Sequence, residues 1–248
     1  MNRVLLITGG GRGIGAATAR LAARAGYDVA LSYRGNREAA EGLVRELRAA
    51  GARALAVAGD VAREPDVLRL FEAVDGELGR LDALVNNAGI VDRGMPVAEM
   101  GAARLERMFA VNVLGSILCA REAVRRMSTR RGGRGGAIVN VSSIASRLGG
   151  AGEYVDYAAA KGAIDTFTVG LAKEVGPEGI RVNAVRPGVI RTDIHRDSGD
   201  PARVERIGAT APLQRAGEAD EVARAILWLL SPEASYTTGA LLDVTGGR

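Results

Sequence analysis

Apolar, β-branched runs alternate with helical patterns along all 248 residues, and that alternation limits the fold more than any other feature of the chain. Candidate strands cover 3–8, 28–33, 53–58, 82–86, 137–141, 181–185 and 240–244. Between them, 14–25, 37–50, 64–78, 101–127, 157–175 and 218–230 carry apolar residues at intervals of three and four, with the Ala, Leu, Arg and Glu content that favours helix. Strand, helix, strand, repeated in this way, predicts a parallel sheet covered by helices on both faces. No composition break marks a second domain, so a single α/β domain over 1–248 is expected. Two segments interrupt the rhythm: the Arg/Gly-rich stretch 128–136, and 188–216, which lacks a strong strand pattern. The second is long for a connection in a compact domain, and such insertions are usually functional lids.

Composition narrows the function classes. No stretch approaches the ~18 consecutive apolar residues of a membrane span. The N-terminal run Val4–Ile7 is too short for a signal-peptide core. Cys119 is the single cysteine, which excludes an internal disulfide, so a cytoplasmic protein is expected. The net charge of +4 comes from acids and bases interspersed over most of the length, which argues against a nucleic-acid footprint. The only histidine, His195, has no cluster of cysteines or histidines with which to share a metal; it reads as a lid residue, and no metal is expected. Of 33 basic residues only Lys161 and Lys173 are lysines, which singles out any position where a compact ammonium has been kept.

The first strand runs directly into Thr8-Gly9-Gly10-Gly11-Arg12-Gly13-Ile14-Gly15, within which a helix begins. Glycines here let the backbone turn tightly and approach a pyrophosphate, whose charge then meets the helix N-terminus. Two spacings coexist. Gly11-x-Gly13-x-x-Ala16 fits the general dinucleotide fingerprint, and Thr8-Gly9-x-x-x-Gly13-x-Gly15 fits a second pattern.

That second pattern resembles the cofactor loop of the short-chain dehydrogenase/reductase family, and the resemblance extends over almost the whole chain. Asp60-Val61 follows the third strand, where the family's aspartate meets the adenine. Asn86-Asn87-Ala88-Gly89 ends the fourth strand, and Asn112 matches the family's helix asparagine. Ser142-Ser143 end the fifth strand, Tyr157-x-x-x-Lys161 opens the next helix, and Pro187-Gly188 with Thr192 follows the sixth. The resemblance implies a seven-stranded doubly wound (Rossmann) sheet. It also implies tetramers formed through the helices near 101–127 and 157–175, and a threonine, Thr192, that reaches the nicotinamide carboxamide.

The catalytic candidates also follow from the residues. Four positions apart on a helix, the Tyr157 phenol and Lys161 ammonium are neighbours. A free phenol titrates near ~10, and a nearby cation is expected to lower that value toward working pH. Such a group can serve as the proton donor that carbonyl reduction needs. Ser143 is the candidate to hydrogen-bond the substrate oxygen. Ser142 competes for that role, although its position also suits a strand-end residue satisfied by backbone. Ser143 precedes Tyr157 by fourteen residues, one more than the family's usual interval, so an extra residue is expected within Gly149–Glu153. Tyr154 lacks a lysine four residues on and reads as a pocket wall. Asn112, a poor helix former between Val111 and Val113, is either a buried amide bonded to backbone or, as the resemblance implies, the holder of a relay water for Lys161.

For the cofactor, the second strand ends Leu31-Ser32-Tyr33-Arg34, without the acid that would take a ribose 2′-hydroxyl. Arg34 and Arg12 stand where a 2′-phosphate would lie, so NADP (NADPH) is expected. The function expected is NADP-dependent hydride transfer between nicotinamide and a small-molecule carbonyl or secondary alcohol. The alternatives are a 3-oxoacyl-carrier-protein reductase or a catalytically silent NADP-sensing regulator. The arginines at 125, 126, 130, 131 and 134 could attract an acidic carrier, whereas Glu178 stands where carrier-protein reductases tend to have a base.

Overall fold

The computed structural model describes residues 2–193 and 202–248. The first half runs β1 (Arg3–Ile7), α1 (Gly13–Arg24), β2 (Tyr27–Tyr33), α2 (Arg37–Ala49), β3 (Ala54–Ala58), α3 (Glu64–Glu77) and β4 (Ala83–Asn86). It continues through α4 (Ala102–Phe109), α5 (Gly115–Met127), β5 (Gly136–Val141), α6 (Ala145–Leu148), α7 (Val155–Val175) and β6 (Ile180–Pro187). Last come β7 (Ile190–Arg191), α8 (Arg203–Gly208), β8 (Gly217–Glu218), α9 (Ala219–Leu230) and β9 (Leu241–Val244). Among the described residues, seven strands form one sheet in the order β3-β2-β1-β4-β5-β6-β9. Every adjacent pair is parallel.

The inner strands are buried on both faces, which explains why they are mostly apolar, while the edge strands β3 and β9 are only partly buried. Along β1, Leu5 and Ile7 join the core beneath α1, α2 and α9, while Val4 and Leu6 join the core beneath α3, α5 and α7. A buried polar chain crosses the second layer. Asn86 Nδ2 donates to Asn140 Oδ1 at 2.9 Å, and Asn140 Nδ2 to Thr168 Oγ at 2.9 Å, tying β4, β5 and α7 together. β1 and β4 are neighbours from which the strand order runs outward in opposite directions. The loops at their carboxyl ends therefore part and leave a crevice.

Three sequence expectations need correction. The helix expected over 101–127 is α4 and α5 joined by a π turn at Ala110–Leu114. Asn112 occupies that turn and its side chain bonds the backbone of a separate loop, an interaction that no local periodicity reveals. α6 was not expected, and α7 begins at Val155, ahead of the expected start. The segment 188–216 contains β7 near its start, while β8 follows at once, and the two pair in parallel and clamp its ends together. His195 and the polar run Asp197-Ser198-Gly199-Asp200-Pro201, whose residue types favour a turn, fall outside the described residues.

Candidate active site

A cleft of about 980 Å³ lies at the carboxyl edge of the sheet. Its volume is at the upper end of the ~300–1,000 Å³ common for small-molecule sites. Gly9, Arg12, Gly13, Ile14, Arg34, Asp60 and Val61 line one end. Asn87, Ala88, Gly89, Pro187, Gly188 and Thr192 line its middle, and Ser143, Tyr157 and Lys161 its other end. Thr8, Gly15 and Asn112 are not in its wall; each supports a residue that is.

Thr8 is buried, and its hydroxyl accepts the backbone N–H groups of Asn87 and Ala88, both at 3.0 Å. Asn87 Nδ2 returns the contact to the carbonyls of Thr8 and Gly9 at 2.9 and 3.0 Å. These bonds lock the β1 and β4 loops into one surface. Gly15 is closed in by the same asparagine, since a Cβ there would come within 2.7 Å of Asn87 Nδ2. Gly13 has φ +53°, and a Cβ would stand 3.2 Å from Thr192 Cγ2. A side chain there would be both strained and pressed against the root of the 188–216 segment.

An anionic dinucleotide fits the glycine end. Helix α1 starts with no side-chain cap and no acid in its first turn, so its N–H groups and positive dipole end face the cleft. Arg12 and Arg34 supply cations on either side. They pair with Asp193 and Asp60, each at 3.7 Å, and both arginines are more than half exposed, so an incoming phosphate can compete for them. Asp60 is positioned in turn, because Asp66 Oδ2 accepts its backbone N–H at 2.9 Å.

At the opposite end, Tyr157 is the third residue of α7 and Ser143 follows β5. The Ser143 hydroxyl lies beside the phenol and accepts the Ala145 N–H at 3.1 Å. Ser142 is buried and spends its hydroxyl on the Lys161 carbonyl at 3.2 Å. The fourteen-residue interval between Ser143 and Tyr157 is filled by α6 and the turn that follows it. Lys161 is buried, with Nζ 5.6 Å from the Tyr157 ring centroid and donating to the Val141 carbonyl at 2.7 Å. Tyr154 forms a wall, edge-on to Tyr157 with centroids 5.9 Å apart.

Burial pushes the Tyr157 phenol up to about 12, with the Ser143 hydroxyl opposing the shift. Burial also brings the Lys161 ammonium down to about 8, against the opposing pull of Asp165 one turn on. The expected lowering of the phenol by its lysine neighbour is therefore overturned. Removing charge from water is the larger effect here, and the ammonium is directed to a carbonyl. The phenol stays protonated across the physiological range and is able to donate.

Asn112 is fully buried. Its Nδ2 donates to the carbonyls of Ile90 and Met108, both at 3.0 Å, and its Oδ1 accepts the Ile90 N–H at 3.1 Å. The amide is thus bonded to backbone, as one of the sequence readings expects. It pins the 88–91 loop to the π turn. A Cβ on Gly89 would lie 2.8 Å from Asn112 Oδ1 and 3.5 Å from Lys161 Nζ, so the three residues converge.

Sequence reasoning missed two positioning groups. Arg104 on α4 forms a buried two-pronged pair with Asp156, beside Tyr157, with Nε to Oδ2 at 2.8 Å. Arg203 of α8 reaches back to Glu153 and Tyr154. Charged residues at such separations carry no pairing signal in one sequence. The basic cluster singled out above does not line the cleft. Arg125 and Arg126 are paired with Glu122, Arg126 also with Asp75, and Arg130 lies 3.5 Å from Glu178.

The fold and the serine, tyrosine and lysine at its sheet edge define a nicotinamide-dependent oxidoreductase, and the chain belongs to the short-chain dehydrogenase/reductase family. A family model described as enoyl-(acyl carrier protein) reductase matches residues 9–248. The uncharacterized oxidoreductase YgfF of Escherichia coli K12 is 52% identical over 99% of both chains. A human 3-oxoacyl-[acyl-carrier-protein] reductase is 41% identical over 100% of this chain and 98% of its own. The crystal structure of a Burkholderia cenocepacia short chain dehydrogenase in complex with NADP superposes with a TM-score of 0.91 at 34% identity, covering 99% of this chain and 97% of that one. Like its family, this chain interconverts carbonyl and CH–OH groups.

Proposed function

We propose that the chain is an NADP-dependent carbonyl reductase or secondary-alcohol dehydrogenase in which Tyr157 is the general acid and base. The convergence of Ser143, Tyr157 and Lys161 at one end of a cleft whose other end is an uncapped helix flanked by Arg12 and Arg34 carries this reading. Bound along the cleft, the nicotinamide cofactor supplies or accepts the hydride. Ser143 holds the substrate oxygen, Tyr157 gives that oxygen its proton in reduction and removes it in oxidation, and Lys161 sustains the phenol's charge balance. Arg34 and Arg12 meet the 2′-phosphate, Asp60 and Val61 flank the adenine, and Thr192 meets the carboxamide. Asn87, Ala88, Gly89, Pro187 and Gly188 form the walls between.

The 188–216 segment acts as a substrate lid rooted at β7 and β8. Homotetramer assembly in the cytoplasm belongs to the same reading. It is supported by Phe109, Leu114 and Ile117, apolar side chains exposed along the α4–α5 region. A 3-oxoacyl-carrier-protein reductase is a narrower version, favoured by the human relative. The ion-paired state of Arg125, Arg126 and Arg130 weighs against it. A silent NADP sensor would be expected to have lost Tyr157, Lys161 or Ser143, and all three are present.

The deciding experiment follows NADPH absorbance over a panel of ketones, aldehydes, sugars and acyl thioesters. Turnover on at least one carbonyl class is expected. NADPH binding without oxidation on any of them would favour the sensor.

A further inference from the structure

The wall of the cleft beyond Tyr157 is basic and is contributed largely by α8. Arg203 is buried, its side chain 9% exposed. It lies 2.8 Å from Glu153 Oε2, hydrogen-bonds the Tyr154 hydroxyl, and has its guanidinium carbon 4.9 Å from the Tyr154 ring centroid. Tyr154 in turn stands edge-on to Tyr157 at 5.9 Å. A guanidinium is thus held one aromatic ring away from the reacting phenol. Arg206, one turn along α8, and Arg107 from α4 line the same cleft.

The partners of Arg203 differ in what they lose by separating. Glu153 is 42% exposed at its side chain, so its carboxylate can turn to water at small desolvation cost. It is held below the ordinary carboxylate range first by Arg203 and more weakly by Tyr154 and Arg206, so Arg206 remains as a partner if Arg203 is taken. Arg203 is buried and cannot turn to water in the same way. A planar guanidinium also matches a carboxylate in two-pronged geometry, so a substrate carboxylate can take the place of Glu153.

We propose that Arg203 selects substrates that carry a carboxylate a short distance from the reacting carbonyl or alcohol, the substrate carboxylate displacing Glu153. The inference rests on the reductase reading above and narrows its substrate to a keto acid or hydroxy acid. It also disfavours carrier-bound acyl thioesters, whose nearest charged group lies at the far end of a long arm and cannot reach Arg203 while the carbonyl meets Tyr157.

The test measures kcat/KM with NADPH for short keto acids of increasing chain length, each beside its methyl ester. In the unmodified enzyme the best acid is expected to exceed its ester by about tenfold or more. That ratio should fall toward one in Arg203→Gln and also in Arg203→Lys, which retains the charge if the glutamine variant misfolds. Glu153→Gln removes the internal competitor and should raise the ratio. Added salt should raise KM for the acid and leave that for the ester unchanged, a readout that needs no variant. A purely structural latch predicts that Arg203→Gln and Glu153→Gln depress acid and ester alike. An unchanged ratio in both variants, or an unmodified enzyme that takes ester as well as acid, overturns the proposal while leaving the reductase reading intact. NADPH oxidation by no carbonyl compound at all overturns both.

Discussion

The ammonium of Lys161 lies 5.6 Å from the centre of the Tyr157 ring, yet its hydrogen bond runs to the Val141 carbonyl at 2.7 Å. The lysine is therefore held by β5 and presented to the phenol, while the Ser143 hydroxyl is the neighbour that acts on the phenol itself. This arrangement separates the two roles. Tyr157→Phe deletes the proton donor and nothing else that binds, so turnover should fall by the ~10²–10⁴-fold typical of a lost general acid while NADPH affinity is retained. Lys161→Met should depress turnover and weaken NADPH binding together. Titrating cofactor fluorescence beside kcat distinguishes the two outcomes, and near-normal turnover in Tyr157→Phe would rule out the assignment.

The same pair gives the protein a pH signature. Lys161 titrates near 8 in the fold against 10.5 unfolded, so between those values the unfolded chain binds the extra proton. Stability should therefore rise with pH from about 8 to about 9, above which the buried Cys119 thiol, pushed up to about 12 from an ordinary 9, opposes the rise. Tyr157 acts in the opposite sense to Lys161. Its phenol titrates near 12 in the fold against 10 unfolded, so its contribution is intact below pH 10 and is lost toward 12. Urea unfolding between pH 7 and 9 should show the rise in the unmodified protein, and Lys161→Met should flatten it.

Much of this frame is legible in the sequence. The inner strands of the sheet are largely buried on both faces, so most of them stand out in the sequence as apolar runs, and the loops after β1, β4, β5 and β6 carry their functional residues in order. What stayed hidden depends on contacts across the fold. The π turn at Ala110–Leu114 is associated with Asn112 bonding to Ile90, which lies twenty-two residues away. Asn112 therefore looked like a helical residue with an undecided role. Arg203 is invisible as a wall of the cleft until α8 is packed beside Glu153 and Tyr154, because an arginine in an arginine-rich chain carries no distinguishing mark. The direction of the Tyr157 shift was misjudged for a related reason. Helical spacing reveals that two groups are neighbours, but it does not reveal how little water reaches them.

Asn112 offers a direct check on that tertiary role. Asn112→Ala would strip the Ile90 N–H and carbonyl of their partner and leave them to a partly buried environment. A loss of about 2 kcal/mol is expected, from the ~1–3 kcal/mol that an orphaned buried group costs. It should appear as a fall in Tm of about 4–8 °C. Because the 88–91 loop lines the cleft, NADPH affinity should fall as well. A variant with unchanged Tm would remove Asn112 from its anchoring role.

Cofactor choice rests on Arg34 and Arg12, whose acidic partners stand 3.7 Å away and are easily exchanged. Charge-assisted bonds are worth ~1.5–3 kcal/mol, so kcat/KM for NADPH should exceed that for NADH by about tenfold to a hundredfold. Arg34→Asp places a carboxylate near the ribose and should reverse much of the difference, with Arg12→Ala reducing it further. Equal use of the two cofactors by the unmodified enzyme would contradict the proposed role of both arginines.

The lid assignment can be read from hydrogen exchange. Short α8 is tied to the body through Arg203 with Glu153 and, at Glu205, through Arg191 at 2.8 Å. The second tie is exposed at both partners and the first at its Glu153 end, and α8 packs few large apolar side chains, Gly208 and Arg203 being its buried residues. Its amides should consequently open well below the global unfolding free energy and exchange faster than those of β6, which is buried along most of its length. Thr192 packs against Gly13 at the glycine loop, so NADP bound there should steady the β7 root first. Protection over 203–212 should then increase on adding NADP and increase again with substrate, while β6 remains unchanged. If α8 is already as protected as β6 in the cofactor-free protein, the segment is a fixed wall and substrate must enter by another route.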